Sequence, residues 1–105
     1  MVENAYPVTV TFRHTEPTSA LKTYAIEKLS HVLEKYHVST GVEIEVILSV
    51  EKRDHQVEVN SRSLGFDLNL KAVTEDLYSA IDKAVDTLES QLRKQKDKIV
   101  TKKHQ

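Results

Sequence analysis

Four segments of the chain alternate apolar and polar residues, a pattern typical of strands with one buried face. The residues predicted to face one way are Val8, Val10 and Phe12; Val42, Ile44, Val46, Leu48 and Val50; His55, Val57 and Val59; and Phe66, Leu68, Leu70 and Ala72. We therefore predict strands at 8–12, 42–50, 55–60 and 66–72. A turn is predicted at 52–54 and a loop around 63–65.

Two further segments repeat apolar residues at three- and four-residue spacing, which indicates amphipathic helices. The first stripe is Leu21, Ala25, Leu29, Val32, Leu33 and Tyr36, and the second is Leu77, Ile81, Ala84, Val85, Leu88, Leu92 and Ile99. Thr18 and Thr74 are the predicted N-caps, because a threonine hydroxyl can accept a bond from an unpaired backbone N–H. Glu75 and Asp76 place negative charge at the positive end of the second helix dipole.

The predicted order of elements is β-α-β-β-β-α. Because each strand has one apolar face, the sheet has a dry face and a wet face, and both helices should cover the dry face. This predicts an α+β domain, a four-stranded sheet with two helices packed on one face. The 105 residues fit a single domain, with a core over 8–99 and a short basic tail at 100–105.

Several classes of function are disfavoured by composition. The chain has no cysteine, which excludes disulfides, thiol catalysis and thiolate metal sites. Its five histidines lack metal-ligand spacing, and its two glycines cannot form a glycine-rich phosphate loop. We expect no enzyme activity, no metal and no cofactor. No signal peptide and no run of roughly 18 apolar residues is present, so we expect a cytoplasmic protein without a membrane partner.

The net charge of −1 conceals an uneven distribution. From Arg93 to the end there are six basic residues and one acid, whereas the first 92 residues hold nine basic and fifteen acidic residues. The asymmetry suggests a local anion-binding surface on an acidic body. A solvated helix end without a ligand explains it equally well.

The wet face of the sheet is predicted to be acidic. Lys71 would be the cation on this face, against five acidic residues: Glu43, Glu45, Glu51, Glu58 and Asp67. Phosphate would be repelled there. This face also lacks the exposed aromatic pair on which sheet-type RNA binders stack bases.

The second helix offers a better surface for nucleic acid. At about 100° per residue, one sector holds Lys83, Thr87, Ser90, Gln91, Lys94 and Lys98, with Asp76 as its only acid, at the far N-terminal end. We call Lys83, Lys94 and Lys98 the lysine stripe. Hydroxyl, amide and ammonium groups together can bond phosphate and ribose oxygens. Lysine is also common on any exposed helix face, so a surface without a ligand stays possible.

Specific motifs point to a family. They are Arg13-His14, Thr18…Ala20-Leu21, Leu33-Glu34-Lys35-Tyr36, Leu48-Ser49-Val50-Glu51-Lys52, Glu75-Asp76-Leu77-Tyr78-Ser79-Ala80-Ile81-Asp82 and Leu88…Gln91-Leu92-Arg93-Lys94…Lys96-Asp97-Lys98. With these segments in order at family spacing, the chain resembles the single-domain ribosome hibernation factors, the family of hibernation promoting factor and protein Y. It departs from their pattern at Pro17, where Val or Ile is commoner, and by one extra residue between Lys28 and Tyr36.

The resemblance implies a fold akin to double-stranded RNA-binding domains. It also implies binding to ribosomal RNA of the small ribosomal subunit, in the channel of mRNA and tRNA, which blocks translation in stressed or stationary cells. We expect a monomer off the ribosome. The implied RNA contacts are Lys22, Lys28, Lys83, Arg93, Lys94, Lys96 and Lys98. Within 78–82 the resemblance favours structural roles, with Ile81 in the core and Tyr78 and Asp82 fixing the helix start.

Two other classes of function remain open from the residues alone. A protein-binding adaptor could present the basic helix end to an acidic partner. A small enzyme would need a polar cleft, which the sequence does not reveal.

Overall fold

The computed structural model describes residues 6–38, 41–63 and 66–103, and side chains within 6–38, 41–61 and 67–94. The elements are β1 (Val8–Arg13), α1 (Ser19–Lys35), β2 (Ile44–Glu51), β3 (Asp54–Ser63), β4 (Phe66–Thr74) and α2 (Leu77–Lys103). The predicted elements and their order are confirmed, with ends that shift by a few residues. Leu64 and Gly65 of the predicted loop lie outside the described residues.

The strands form one mixed sheet in the order β1-β2-β3-β4. β1 and β2 are parallel, and α1 provides the crossover between them, whereas β2, β3 and β4 follow as antiparallel hairpins. The register aligns Val10, Val46, Val59 and Leu70 across all four strands. A dry face thus runs the full width of the sheet, as the alternation predicted.

Both helices cover this dry face. α2 packs on β3 and β4, while α1 packs along α2 and reaches β1. Their apolar stripes join the sheet in one core, in which Leu29, Leu48, Ile81 and Leu88 are almost wholly buried. The predicted α+β class, with two helices on one face of a four-stranded sheet, is confirmed.

The start of α1 is as predicted, since the Leu21 N–H donates to the Thr18 hydroxyl at 3.1 Å. The predicted cap of α2 is wrong. β4 continues to Thr74, and the carboxylate of Asp76 accepts both the Ser79 N–H and the Ser79 hydroxyl, each at 2.8 Å. These bonds lower the pKa of Asp76 below its ordinary value. Thr74 instead exchanges hydrogen bonds with the Asp76 backbone across the turn.

Within the described residues, no helix combines the length and the apolar character needed to cross a membrane.

Candidate nucleic-acid interface

Two members of the lysine stripe, Lys83 and Lys94, lie on an exposed flank of α2. Lys83 and Lys94 are exposed, as are Thr87, Ser90 and Gln91. The two lysines are three turns apart, or about 16 Å along the helix axis. The Thr87 hydroxyl donates to the Lys83 carbonyl at 3.0 Å. The side chains of Lys96 and Lys98 lie outside the described set, although both residues belong to α2.

The wet face lies opposite the helices and is acidic. Glu45 and Glu58 point to it by register, and with Glu43 they line a shallow open groove of about 750 Å³. Asn69 donates to Asn60 and to Glu58 across the groove floor. No aromatic side chain points to this face within 6–38, 41–61 and 67–94. The described part of the wet face therefore offers few groups that could bind a phosphate or a base.

Two features of the wet face were missed in the sequence. Arg13 aligns with Ser49 at one end of the face and adds a cation there. Ile47 is buried although it points away from the helices, because it lies between Thr11 of β1 and Glu58 of β3. Arg13 continues the alternation of Thr9 and Thr11 in β1, so the sequence contained a signal for its position. It was missed because Arg13 lies one residue beyond the predicted end of the strand.

An aromatic pair joins the two helices. The rings of Tyr24 and Tyr78 meet edge to face, with centroids 5.0 Å apart and planes 73° apart, and we call them the tyrosine pair. The Tyr24 hydroxyl donates to Asp82 at 2.5 Å, which raises the pKa of the phenol. The Lys28 ammonium lies 5.4 Å from the centroid of the Tyr24 ring. Tyr78 and Asp82 thus connect the beginning of α2 to α1, and their role in fixing the helix start stays a prediction.

A second connection between the helices is ionic. Glu89 of α2 accepts from Lys35 at 2.7 Å and from the Tyr36 hydroxyl at 3.1 Å, and Arg93 approaches it at 3.8 Å. The pKa of Glu89 is lowered and that of Lys35 is raised, mainly by their mutual hydrogen bond. Arg93 is therefore paired with an acid on the flank of α2 that faces α1.

The implied RNA contacts do not form one patch. Asp82 and Glu89, which reach α1, lie about 100–140° around α2 from Lys83 and Lys94. Lys28 and Arg93 belong to the side between the helices, together with these acids. By the same helical spacing, Lys22 lies on the opposite edge of α1. The structure brings Lys83 and Lys94 onto one flank, and RNA contact by any of the seven residues stays a prediction.

No group of three or more histidine, aspartate and glutamate side chains suited to a metal ion occurs among the described residues. Cations, hydroxyls, amides and an exposed aromatic ring can bind anionic and aromatic groups.

The family model described as Sigma 54 modulation protein / S30EA ribosomal protein matches residues 8–100. The chain belongs to this family. The match spans all four strands, α1 and all but the last three residues of α2, and the resemblance inferred from the sequence motifs is confirmed.

Relatives similar over most of their length carry a common name. The ribosome hibernation promoting factor of Pseudomonas putida is 36% identical over 91 residues, which is 87% of each chain. The ribosome hibernation promoting factor of Escherichia coli is 33% identical over 90 residues, covering 86% of this chain and 93% of the relative.

Solved structures share the architecture. The Protein Y N-terminal domain of Thermus thermophilus matches with a TM-score of 0.74 and 28% identity, over 85% of this chain and 97% of that one. A ribosomal subunit interface protein from Coxiella burnetii shares the fold, with a TM-score of 0.71 and 24% identity over 86% of this chain and 97% of that one.

Proposed function

We propose that this protein is a ribosome-associated translation inhibitor that promotes ribosome hibernation in the cytoplasm under stress or in stationary phase. As one domain, and as a monomer off the ribosome, it binds ribosomal RNA in the mRNA and tRNA channel of the small subunit. Relatives named ribosome hibernation promoting factors, similar over most of the chain, support the biological role. Inhibition is by occupancy of the channel and involves no catalytic turnover.

The observation that carries RNA binding is the exposed flank of α2 with Lys83 and Lys94, where the one acid of the sector is Asp76 at the far N-terminal end. Ammonium groups there can contact phosphates, and the neighbouring hydroxyl and amide groups can bond ribose and phosphate oxygens. The acidic wet face favours the same orientation, because it repels RNA from the opposite side. The helices therefore face the ribosomal RNA in this proposal.

The other implied contacts lie apart from this flank. In this proposal Lys22 and Lys28 contact RNA from two different edges of α1, and Lys96 and Lys98 contact it from the C-terminal part of α2. Arg93 lies 3.8 Å from Glu89, whose negative charge offsets part of the attraction of Arg93 for a phosphate. We expect Arg93 to contribute less than Lys83 or Lys94 for this reason.

Sedimentation with purified small subunits over a series of salt concentrations tests the proposal. Each phosphate contact contributes a slope of about 0.9 in log affinity against log salt for duplexes, and somewhat less for single strands. The double variant Lys83→Ala/Lys94→Ala should bind more weakly, with a slope reduced by about two contacts. Inhibition of cell-free translation should fall in parallel.

A matched control is Lys52→Ala/Lys71→Ala, which removes the same charge from the β2–β3 turn and the wet face. It should bind nearly as the wild type does. If both double variants lost the same affinity for small subunits, net charge alone would explain the effect of the lysine stripe. Association with a protein partner that survives nuclease treatment, with no binding to subunits, would favour the adaptor instead.

A further inference from the structure

Tyr78 is an unusual surface residue. It is 43% exposed, and among the described residues only Val73 is a comparably exposed large hydrophobic side chain. Tyr78 lies in the first turn of α2, next to the buried Leu77. Tyr78 thus keeps an exposed surface at this helix end that a ligand can reach.

The ring is held in place before any ligand arrives. Tyr24 contacts it edge to face, and the bond from the Tyr24 hydroxyl to Asp82 fixes Tyr24 against α2. An edge-to-face contact between two rings leaves at least one face of Tyr78 uncovered by Tyr24. A ring already fixed in place loses less side-chain entropy when a flat ligand stacks on it.

A positive charge lies beside the aromatic surface. Lys28 is exposed, and its ammonium is 5.4 Å from the centroid of the Tyr24 ring. A flat aromatic surface with an adjacent cation matches the chemistry of a nucleotide, whose base stacks while its phosphate meets the charge. The acidic wet face provides no such combination.

We propose that the tyrosine pair and Lys28 form a stacking site for one unpaired nucleobase of ribosomal RNA, with Tyr78 as the platform and Lys28 on the adjoining phosphate. The inference rests on the proposed function and adds a second kind of contact to it. Stacking on an aromatic ring tolerates any base. The site therefore selects single-stranded RNA over a helix without selecting a sequence.

Replacement of Tyr78 tests the site through affinity for purified small subunits. Tyr78→Leu keeps an apolar, helix-compatible side chain but removes the aromatic face. It should weaken binding by about 5- to 150-fold, the range that loss of one stacked base produces. The salt slope should stay at the wild-type value, because no phosphate contact is lost. Lys28→Ala should instead lower the slope by about one contact.

Two control variants separate base stacking from an effect of the tyrosine hydroxyl and from general surface hydrophobicity. Tyr78→Phe keeps the ring face and should bind as the wild type does, whereas a loss equal to that of the leucine variant would assign the effect to the hydroxyl and overturn the proposal. Val73→Ala removes the exposed hydrophobic side chain of the wet face and should change nothing. Thermal melting of every variant shows whether the fold is retained.

The experiment distinguishes failure of the proposed function from failure of the stacking site. If the wild type does not bind small subunits, the proposed function is wrong. If the wild type binds and the folded Tyr78→Leu variant binds equally well, the function stands and the stacking site is wrong.

Discussion

At the scale of single residues, three non-glycine residues in the described part of the chain have a backbone conformation that favours glycine. His14, His37 and Lys52 have φ values of 58°, 56° and 57°. Lys52 is the first of two residues between the paired Glu51 and Asp54 in a tight hairpin. None of the three positions carries the glycine or asparagine that would have predicted it, so the sequence signalled the turns only weakly.

His37 ends α1 in a Schellman motif. The Val38 N–H donates to the Leu33 carbonyl at 2.9 Å, and the His37 N–H donates to the Glu34 carbonyl at 3.0 Å. This arrangement requires a left-handed residue at 37, where a side chain with a Cβ is disfavoured by roughly 1–2 kcal/mol. The termination of α1 therefore stores local strain at an exposed position.

We expect His37→Gly to stabilise the protein. Glycine relieves the left-handed strain but adds freedom to the unfolded chain. The expected net gain in the free energy of unfolding is at most about 1 kcal/mol. Chemical denaturation at neutral pH measures it. His37→Val should be destabilising, because a branched Cβ makes the left-handed region worse, and a more stable valine variant would contradict the interpretation.

At the scale of elements, the periodicity of apolar residues predicted which strands and helices form. Local hydrogen bonds determine where an element begins or ends. The strands and helices are driven by burial of every second or every third to fourth residue, and that spacing is visible in the sequence. The start of α2 depends instead on a competition between Thr74 and Asp76, both good capping residues. β4 extends to Thr74, and α2 begins only at Leu77. Thr74 therefore lies too far before the helix to be its N-cap, and Asp76 caps it instead.

The cap at Asp76 should make stability depend on pH. The Ser79 bonds lower its folded-state pKa below the ordinary value of 3.8, so its stabilising contribution is present above that value and is lost as the pH falls through the folded pKa. Asp76→Asn keeps a capping oxygen without the titration. The difference in unfolding free energy between wild type and Asp76→Asn should be constant from pH 7 to about pH 5 and shrink in more acidic solution.

Chemical denaturation at matched pH values measures this difference. The other carboxylates, including Glu89, titrate in both proteins and cancel in the comparison. A difference that stays constant down to the lowest pH at which both proteins fold would show that the charge of Asp76 contributes nothing to the cap.

At the scale of the whole molecule, the helix side and the sheet side have different chemistry. The acidic character of the wet face followed from the strand alternation, and the exposed flank of α2 followed from its helical period. The contacts between Tyr24 and Asp82 and between Lys35 and Glu89 join residues more than 50 positions apart. They depend on how α1 lies along α2, which no local pattern specifies. The tyrosine pair was therefore not predicted, although both tyrosines were visible in the sequence.

The two-sided character predicts which charges matter for ribosome binding. Glu43→Gln/Glu45→Gln removes two acids from the groove of the wet face with almost no change in side-chain volume. If RNA meets the helices, the variant should bind small subunits at least as well as the wild type. Loss of long-range repulsion should tighten binding slightly at low salt. The gain should fade as added salt screens the repulsion over about 10 Å.

Sedimentation with purified small subunits at low and moderate salt measures both effects, and thermal melting checks the fold. A folded variant that binds much more weakly would place the interface on the wet face, and the lysine stripe would then point away from the RNA.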